Sequence, residues 1–305
     1  MHYLDLYVQQ GMDGREVKSL LYEELHLSTR KIRGLKKDPK GILLNGNPVV
    51  VRQKVRKGQL LQILLEDSFS ADRIIPVKMA LDILYEDEDL LIVNKPSGLV
   101  CHPSKGHLID SLCNGIAAYY ENTGQNSSIH LLGRLDKDTS GIMGIAKNKV
   151  TAERLNRAET YQKEYLALVE GIPEKMEGEI RIPMEEDRSE GYLKMQEGKS
   201  KKAMAAVTQY TVLCPTDGGS LCRVTIATGR THQIRFHMAA IGHPLLGDSL
   251  YNPGSGKEQE QPERAALHAW RLHFFHPFTG KKMEFTADLP EDMEKRLGKN
   301  QFLIK

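Results

Sequence analysis

A short polar segment, residues 133–141 with the sequence GRLDKDTSG, combines residue types that can do nucleophilic or acid–base chemistry. Asp136 lies between two cations, Arg134 and Lys137, and a Thr–Ser–Gly turn separates it from the apolar run 142–146. A carboxylate on such a loop can face a cleft while the strand holds it, and neighbouring arginines favour its charged form. A charged carboxylate suits a nucleophile or an electrostatic catalyst better than a general acid. The composition is equally typical of an ordinary turn, because Asp, Ser and Gly favour turns.

Several further segments resemble motifs of one known protein family, and they occur in the same order along the chain as in that family. The nonamer 133–141 resembles the catalytic motif of the RluA-type pseudouridine synthases, which isomerise chosen uridines in ribosomal or transfer RNA. The further segments are 94–98 (NKPSG), 163–171 (KEYLALVEG), 228–237 (TGRTHQIRFH), 242–251, 266–268 and 276–280. The resemblance covers about residues 80–290, and it departs from many relatives at Gly133, where they carry His.

The resemblance implies roles for residues that are far apart in the chain. It implies that Asp136 is the catalytic carboxylate and that Arg235 is its basic partner. It implies that the ring of Tyr165 packs against uracil with its hydroxyl near the site, and that Arg134 enters the RNA near the flipped-out uridine. Base chemistry in structured RNA requires the nucleotide to leave its stack, at a cost of a few kcal/mol.

The reaction implied by this resemblance sets what else the protein requires. Pseudouridine formation breaks the bond from uracil N1 to the ribose, turns the base and rejoins it through C5. Nothing is oxidised and no water enters, so no metal or organic cofactor is expected. The motif residues Lys95, Thr139 and His232 are expected to bind the substrate. Large-subunit ribosomal RNA is the expected substrate, with transfer RNA as the alternative.

Two other classes of protein are compatible with parts of the sequence. A metallohydrolase would use some of the eleven histidines. His232 and His237 are five residues apart, however, and do not share a helix face as residues four apart would. A non-catalytic RNA-binding protein would have no need of the Asp136, Tyr165 and Arg235 motifs. Elemental analysis for metal and a uridine-to-pseudouridine assay separate these alternatives.

Length and composition limit the class of protein. The 305 residues can form one large and one small domain, and a content of 40% hydrophobic and 27% charged residues fits a soluble globular protein. No apolar run approaches the ~20 residues that cross a bilayer, and the N-terminus lacks the pattern of a signal peptide. The four cysteines form no Cys–x–x–Cys pair, so a cytoplasmic location is predicted. None of these features indicates the oligomeric state.

Positive charge is concentrated at the N-terminus. Residues 1–65 carry 12 Lys and Arg against 6 Asp and Glu, whereas the other 240 carry 30 against 34. The basic residues form two clusters: Arg30, Lys31, Arg33, Lys36, Lys37 and Lys40, then Arg52, Lys54, Arg56 and Lys57. One such run is usually a solvated helix face, but two of them in one small unit favour a nucleic-acid partner. Arg30 and Arg33 are therefore expected to contact RNA.

Residues 1–65 are predicted to form a small αβ domain. Val17, Leu20, Leu21 and Leu25 recur at helical spacing, and Ser28 or Thr29 can cap a second short helix. Residues 42–51 are predicted as a strand, an Asn–Gly turn and a strand, and residues 60–65 as a third strand. This order resembles the RNA-binding module named for ribosomal protein S-four. Residues 66–79 are predicted to be a polar linker.

Residues 80–305 are predicted to form the catalytic domain. Short strands dominate, at 81–85, 90–93, 163–170, 204–213, 221–228, 267–275 and 282–287. Helices are predicted after Asp110 as a cap, over 151–160 and over 231–241, and the polar loop 254–263 is predicted to be mobile. Many short strands with few helices predict an α+β fold, a mixed and largely antiparallel sheet flanked by helices. The fold implied by the resemblance is of this kind.

Overall fold

The computed structural model describes residues 3–65, 74–189, 191–216, 218–253 and 264–297, which form an α+β fold. The strands are β1 (Tyr3–Tyr7), β2 (Ile42–Leu44), β3 (Asn47–Pro48), β4 (Leu60–Leu64), β5 (Asp82–Glu86), β6 (Leu90–Lys95), β7 (His130–Leu132), β8 (Ser140–Ala146), β9 (Gln162–Glu170), β10 (Glu177–Ile180), β11 (Met184–Asp187), β12 (Lys194–Glu197), β13 (Thr208–Thr216), β14 (Gly219–Ile226), β15 (Leu267–Phe275) and β16 (Lys282–Thr286). The α-helices are α1 (Val17–Glu23), α2 (Thr29–Leu35), α3 (Leu112–Asn122), α4 (Lys149–Arg157), α5 (Gln233–Ala240) and α6 (Glu291–Leu297).

The N-terminal unit is a four-stranded sheet in the order β1-β4-β2-β3, packed against α1 and α2. The predicted helices form because Val17, Leu20 and Leu21 are all buried and the Ser28 side chain accepts a hydrogen bond from the Lys31 backbone N–H. The structure adds β1, which the sequence analysis missed. It also shortens the second strand of the predicted 42–51 hairpin to the two residues of β3.

The larger sheet, formed by strands after residue 80, has the strand order β10-β13-β14-β9-β15-β8-β6-β5, with β16 paired to β15 and β7 to β8. Within the described residues, β8 and β15 form the one parallel pair of this sheet, and the other pairs are antiparallel. A two-stranded hairpin of β11 and β12 lies outside it. The predicted fold, a largely antiparallel sheet with flanking helices, is therefore confirmed.

Alternation along the strands separates the two faces of this sheet. On β9, Tyr165, Ala167 and Val169 lie in the core that contains residues of α3 and α5. Leu166 and Leu168 point to the opposite face and pack with Met293 of α6. The helices α3 and α5 thus cover one face, while α6 covers the other beneath the central strands.

Two local predictions are corrected by the structure. The helix α3 is capped by Ser111 rather than Asp110, because Ser111 and Asn114 form a reciprocal capping box while the Asp110 carboxylate binds His107. The predicted linker is not free along its whole length. Its residues 74–79 contact the first turn of α3, where the Val77 N–H donates a hydrogen bond to the Asn114 carbonyl at 3.0 Å. Residues 66–73 and the predicted mobile loop 254–263 lie outside the described residues.

The N-terminal unit packs directly on the catalytic domain. Val150 of α4 is buried within the N-terminal core, and Phe278 packs against the same cluster. The Ser28 hydroxyl donates to Glu153 at 2.9 Å, and Arg157 donates to the His26 carbonyl at 3.1 Å. The unit is therefore attached by an apolar contact as well as by the chain.

Candidate active site

The loop that carries Asp136, residues 133–139 between β7 and β8, is held at its C-terminal end. We refer to it as the Asp136 loop. At its end, Ser140 and Gly141 pair with His268 and Ala269 of β15. Gly141 has a left-handed φ of 111°, and a Cβ there would collide with the Ala269 backbone. Glycine is thus required for the close approach of the two strands that fixes the end of the loop.

Four consecutive carbonyl groups of the Asp136 loop each accept a hydrogen bond. The Cys101 thiol donates to the Leu135 carbonyl at 3.1 Å, and the Thr139 N–H donates to that of Asp136 at 3.2 Å. The Lys95 ammonium donates to the Lys137 carbonyl at 3.1 Å, and Arg264 donates to that of Asp138 at 2.9 Å. The loop has no helix or strand of its own, so these bonds fix its path.

The Asp136 carboxylate lies beside Arg235, as the sequence analysis expected. Nη1 of Arg235 is 3.9 Å from Oδ2 of Asp136, and the Asp136 side chain is 25% exposed while that of Arg235 is 8% exposed. Arg235 is on α5, which rests on the same sheet face as Tyr165. The carboxylate is therefore both open to solvent and close to a buried cation.

A second carboxylate, which the sequence analysis missed as a site residue, holds Arg235 in place. Nε and Nη2 of Arg235 donate to the two oxygens of fully buried Asp248 at 2.7 and 2.8 Å. Burial raises the pKa of Asp248, but the hydrogen bonds and charge of Arg235, together with the backbone N–H groups of Leu250 and Tyr251, hold this pKa below its usual range. Burial lowers the pKa of Arg235, but the hydrogen bonds and the charge of Asp248 contribute to a net rise in this pKa. Asp248 lies in the segment 242–251, which is part of the family resemblance, and this position could have indicated a role for it in the site.

Tyr165 lies in the core at the base of the site. It is 5% exposed and belongs to the same hydrophobic cluster as Leu135, the residue before Asp136. Burial, and then the charge of Asp136, raise the pKa of Tyr165. The hydroxyl is therefore a neutral group at physiological pH and can donate a hydrogen bond.

Tyr251 connects Arg235 to the hairpin of β11 and β12. The Arg235 guanidinium carbon lies 5.4 Å from the centre of the Tyr251 ring, and the Lys194 ammonium lies 5.7 Å from it. The Tyr251 hydroxyl accepts from the Met195 N–H at 2.8 Å and lies 3.3 Å from Nδ1 of His232. His232 precedes α5 in a left-handed conformation, and burial lowers its pKa. A neutral imidazole thus borders the site.

Two basic side chains, those of Arg134 and Lys163, lie near the first residues of the Asp136 loop. Arg134 is exposed, which agrees with a residue that reaches into RNA. Gly133 has a left-handed φ of 83°, and a Cβ there would lie 4.0 Å from Nζ of Lys163. Burial lowers the pKa of Lys163 to about 8, and its long hydrogen bonds are to the Leu132 carbonyl and to Met143. Lys163 was part of a matched motif but was not predicted as a site residue.

Two of the residues expected to bind substrate, Lys95 and Thr139, have buried side chains. Lys95 is fully buried, and its ammonium donates to the carbonyls of Pro96 and Leu99 as well as to the loop. Thr139 is also buried. Lys95 therefore supports the loop from beneath, and Thr139 is buried at the end of the loop itself. Contact of either side chain with RNA stays a prediction.

The basic N-terminal clusters are largely exposed. Arg33 is exposed, as are Lys36, Lys37, Lys40, Arg52, Lys54, Arg56 and Lys57. Arg30 lies in α2, and its side chain is outside the described part of the chain. Lys31 differs from its neighbours, because it is buried and its ammonium lies 3.5 Å from the Leu65 carbonyl. The exposed cations form the candidate RNA surface.

The histidines considered as metal ligands have other partners. His237 contacts the Thr208 hydroxyl at 2.8 Å and the Ile182 carbonyl at 2.9 Å, and His268 contacts the Ser140 hydroxyl at 2.9 Å. Across the described ranges, no three His, Cys, Asp or Glu residues are grouped as a metal site would require. In the same ranges, no helix is long and apolar enough to span a membrane.

The chain is similar in sequence to known RNA-modifying enzymes. The family model described as RNA pseudouridylate synthase matches residues 89–240. An uncharacterized RNA pseudouridine synthase of Bacillus subtilis, YjbO, is 36% identical over 275 residues, which span 89% of this chain and 95% of the relative. Ribosomal large subunit pseudouridine synthase D of Zymomonas mobilis is 37% identical over 72% of each chain.

The fold agrees with the sequence comparison. The human protein RNA pseudouridylate synthase domain containing 1 superposes with a TM-score of 0.55 at 28% identity, over 69% of this chain and 84% of the human one. The residues matched by the family model include the Asp136 loop. Together with the geometry of the site, these comparisons show that this chain is an RNA pseudouridine synthase of the RluA-type family.

Proposed function

We propose that this enzyme converts uridines of large-subunit ribosomal RNA to pseudouridine, with Asp136 as the catalytic carboxylate. The observation that carries the proposal is the partly exposed Asp136 carboxylate, 3.9 Å from a buried guanidinium and next to the cluster that contains Tyr165. The name of the Zymomonas mobilis relative favours ribosomal over transfer RNA. A ribosomal substrate places the enzyme in the cytoplasm.

The chemistry follows from what each side chain offers. The Arg235 cation lies beside Asp136, and the Asp136 carboxylate can act on the uridine as the bond from N1 to the ribose breaks. The ring of Tyr165 supplies a flat wall for the detached uracil, and its neutral hydroxyl can exchange a proton with the base. Rotation of uracil then presents C5 to the ribose, and a bond from C5 to C1′ replaces the broken bond from N1. A base removes the proton from C5 and N1 gains a proton, so the product has the same atoms as the substrate.

The target uridine must leave its stack before it reaches Asp136. Exposed Arg134, two residues earlier on the loop, is suited to occupy the vacated space in the RNA. His232 borders the site and can contact the extruded nucleotide as a neutral donor or acceptor. Arg33 and the other exposed cations of the N-terminal unit bind phosphates of the same RNA.

Substitution of the carboxylate tests the proposal. Ribosomal RNA from cells that lack the gene is incubated with the purified enzyme, and pseudouridines are mapped in the large-subunit molecule. Asp136→Asn is expected to bind this RNA with unchanged affinity and to form no pseudouridine. Asp138→Asn makes the same change two residues along and is expected to stay active. Turnover by Asp136→Asn at a tenth of the wild-type rate would exclude Asp136, and modification of transfer RNA alone would exclude the proposed substrate.

A further inference from the structure

Arg264, three residues before the first residue of β15, connects the Asp136 loop to the helix α6. Its Nη1 donates to the Asp138 carbonyl at 2.9 Å, and its Nη2 lies 3.3 Å from the Ser140 hydroxyl. On the other side, its Nε and Nη2 contact the two carboxylate oxygens of Asp292 at 2.8 and 3.1 Å. The Arg264 side chain is 10% exposed, so these bonds form in a largely dry environment.

This connection differs from the other supports of the loop. Cys101 and Lys95 also donate to loop carbonyls, but their bonds stay within the segments next to the site. Arg264 also forms an ion pair with Asp292 of α6. This helix packs against Leu166 and Trp270 on the sheet face opposite Tyr165. A helix that does not contact the cleft is thus joined by one side chain to the backbone two residues from Asp136.

We infer that Arg264 is a positioning residue through which α6 and Asp292 set the position of the Asp136 carboxylate. The inference rests on the proposed role of Asp136. A displacement of reacting groups by about 1 Å can reduce a rate about a hundredfold, so a small relaxation of the loop is sufficient to slow the chemistry. Arg264 does not contact the cleft, and its loss is therefore expected to leave RNA affinity unchanged.

Conservative substitutions test the inference, because Arg264→Ala could simply unfold the domain. Arg264→Lys keeps the charge but cannot bind the Asp138 carbonyl and both oxygens of Asp292 at once. Asp292→Asn keeps the shape of the partner and removes its charge. Arg271→Ala is the control, since Arg271 lies on β15, the strand that follows Arg264, and stacks at 3.7 Å on the Trp270 ring rather than binding the loop.

Three quantities are measured for each variant: the single-turnover rate at saturating enzyme, the RNA dissociation constant, and thermal unfolding. Arg264→Lys is expected to lower the rate at least about tenfold and Asp292→Asn about threefold, with dissociation constants within twofold of the wild type. The double variant is expected to be no slower than Arg264→Lys alone, because both changes break one connection. Arg271→Ala is expected to lower the unfolding temperature without slowing turnover by the folded enzyme.

Hydrogen–deuterium exchange of peptides that span residues 133–140 supplies a readout that needs no turnover. Faster exchange in Asp292→Asn, confined to this segment and α6, is the expected result. Wild-type rates or unchanged exchange in both Arg264→Lys and Asp292→Asn would overturn the inference, as would a loss of rate matched by a loss of affinity. A wild-type enzyme active on RNA together with an active Asp136→Asn would instead overturn the proposed role of Asp136.

Discussion

Arg235 binds Asp248 with two of its guanidinium nitrogens and leaves only the third for Asp136. The bonds to Asp248 are 2.7 and 2.8 Å long, whereas Nη1 is 3.9 Å from Asp136. Buried Asp248 therefore orients the Arg235 guanidinium and supplies its main counter-charge. Partly exposed Asp136 interacts more weakly with the remaining nitrogen, Nη1. Among the described residues, no short bond engages the Asp136 carboxylate, so its oxygens stay available to a substrate while the loop backbone is held.

The first prediction concerns this arrangement. Arg235→Lys is expected to lose at least about tenfold in turnover, because one ammonium cannot bind Asp248 at two points and also reach Asp136. Asp248→Asn leaves a buried guanidinium without its main counter-charge and is expected to lower the free energy of unfolding by about 3 kcal/mol. Urea unfolding and single-turnover kinetics measure the two effects.

Arg188 supplies the control for the stability measurement. It makes a similar two-nitrogen contact with Glu186, but its side chain is 68% exposed. Arg188→Lys is expected to change the free energy of unfolding by less than about 1 kcal/mol, as exposed ion pairs do. Equal stability losses at Arg188 and at Asp248 would show that burial of the Arg235 pair has no energetic consequence.

The second prediction separates the ring of Tyr165 from its hydroxyl. Tyr165→Phe keeps the flat face and is expected to bind RNA normally but to stall during chemistry, if the buried neutral hydroxyl exchanges a proton as proposed. Tyr165→Leu removes the flat face as well and is expected to be at least as slow. A fully active Phe variant with a slow Leu variant would leave only packing to this residue, and a fully active Leu variant would remove it from the site.

Sequence periodicity predicted the elements that hold the site, and the resemblance predicted the residues that meet there. The strand β9 and the helix α4 form close to where the sequence indicated them, because β9 buries an apolar run on both of its faces and α4 buries one face. The connections among buried polar groups were not predictable in this way. Nothing in the spacing of Asp248 or Arg264 says which partner each one meets, since such pairs depend on how distant segments pack.

Lys31 shows the limit of charge patterns in particular. It stands in a run of cations that was interpreted as one surface, yet it is 6% exposed. Helical geometry explains this, because α2 turns Lys31 and Ile32 toward the core and Arg33 toward solvent. A charge run on a helix therefore overstates the exposed charge unless the buried face is already known.

The third prediction concerns pH. Burial lowers the pKa of Lys95 from 10.5 to about 8, so its ammonium loses a proton as the pH rises through 8. The neutral amine has one donor fewer and no charge for the carbonyls of Pro96, Leu99 and Lys137, which loosens the Asp136 loop. The single-turnover rate is therefore expected to fall above pH 8.

The stability contribution of Lys95 has the opposite sign. Between pH 8 and 10.5 the unfolded chain still binds the proton that the folded chain has released, so this group raises the free energy of unfolding as pH increases. Lys95→Met is expected to be slow at all pH values and to lose the alkaline decline. Lys163→Met is the control, because Lys163 titrates over the same range but does not bind the loop's Lys137 carbonyl. Persistence of the decline in Lys95→Met would exclude this explanation.

The fourth prediction tests whether the N-terminal unit binds RNA through its exposed cations. Removal of residues 1–71 is a poor test, because it would uncover Val150 and Phe278 of the catalytic domain and destabilise what remains. Substitution of Arg33, Lys36 and Lys37 by Ala removes three exposed charges and leaves the buried Lys31 in place. The fold is expected to keep its unfolding temperature, since surface substitutions change stability little.

Salt dependence then reports on the contacts themselves. Each phosphate contact contributes about −0.7 to −0.9 to the log–log slope of affinity against salt, so the triple variant is expected to have a slope shallower by about 2. Its affinity for ribosomal RNA should fall, while its rate at saturating enzyme should not, because Asp136, Tyr165 and Arg235 are unchanged. Substituting the exposed Lys281, Lys282 and Lys295 by Ala removes the same net charge elsewhere on the surface and should leave the slope as it is. Equal slopes for the two triple variants would show that the N-terminal cations act only through net charge and that another partner must explain their concentration in this unit.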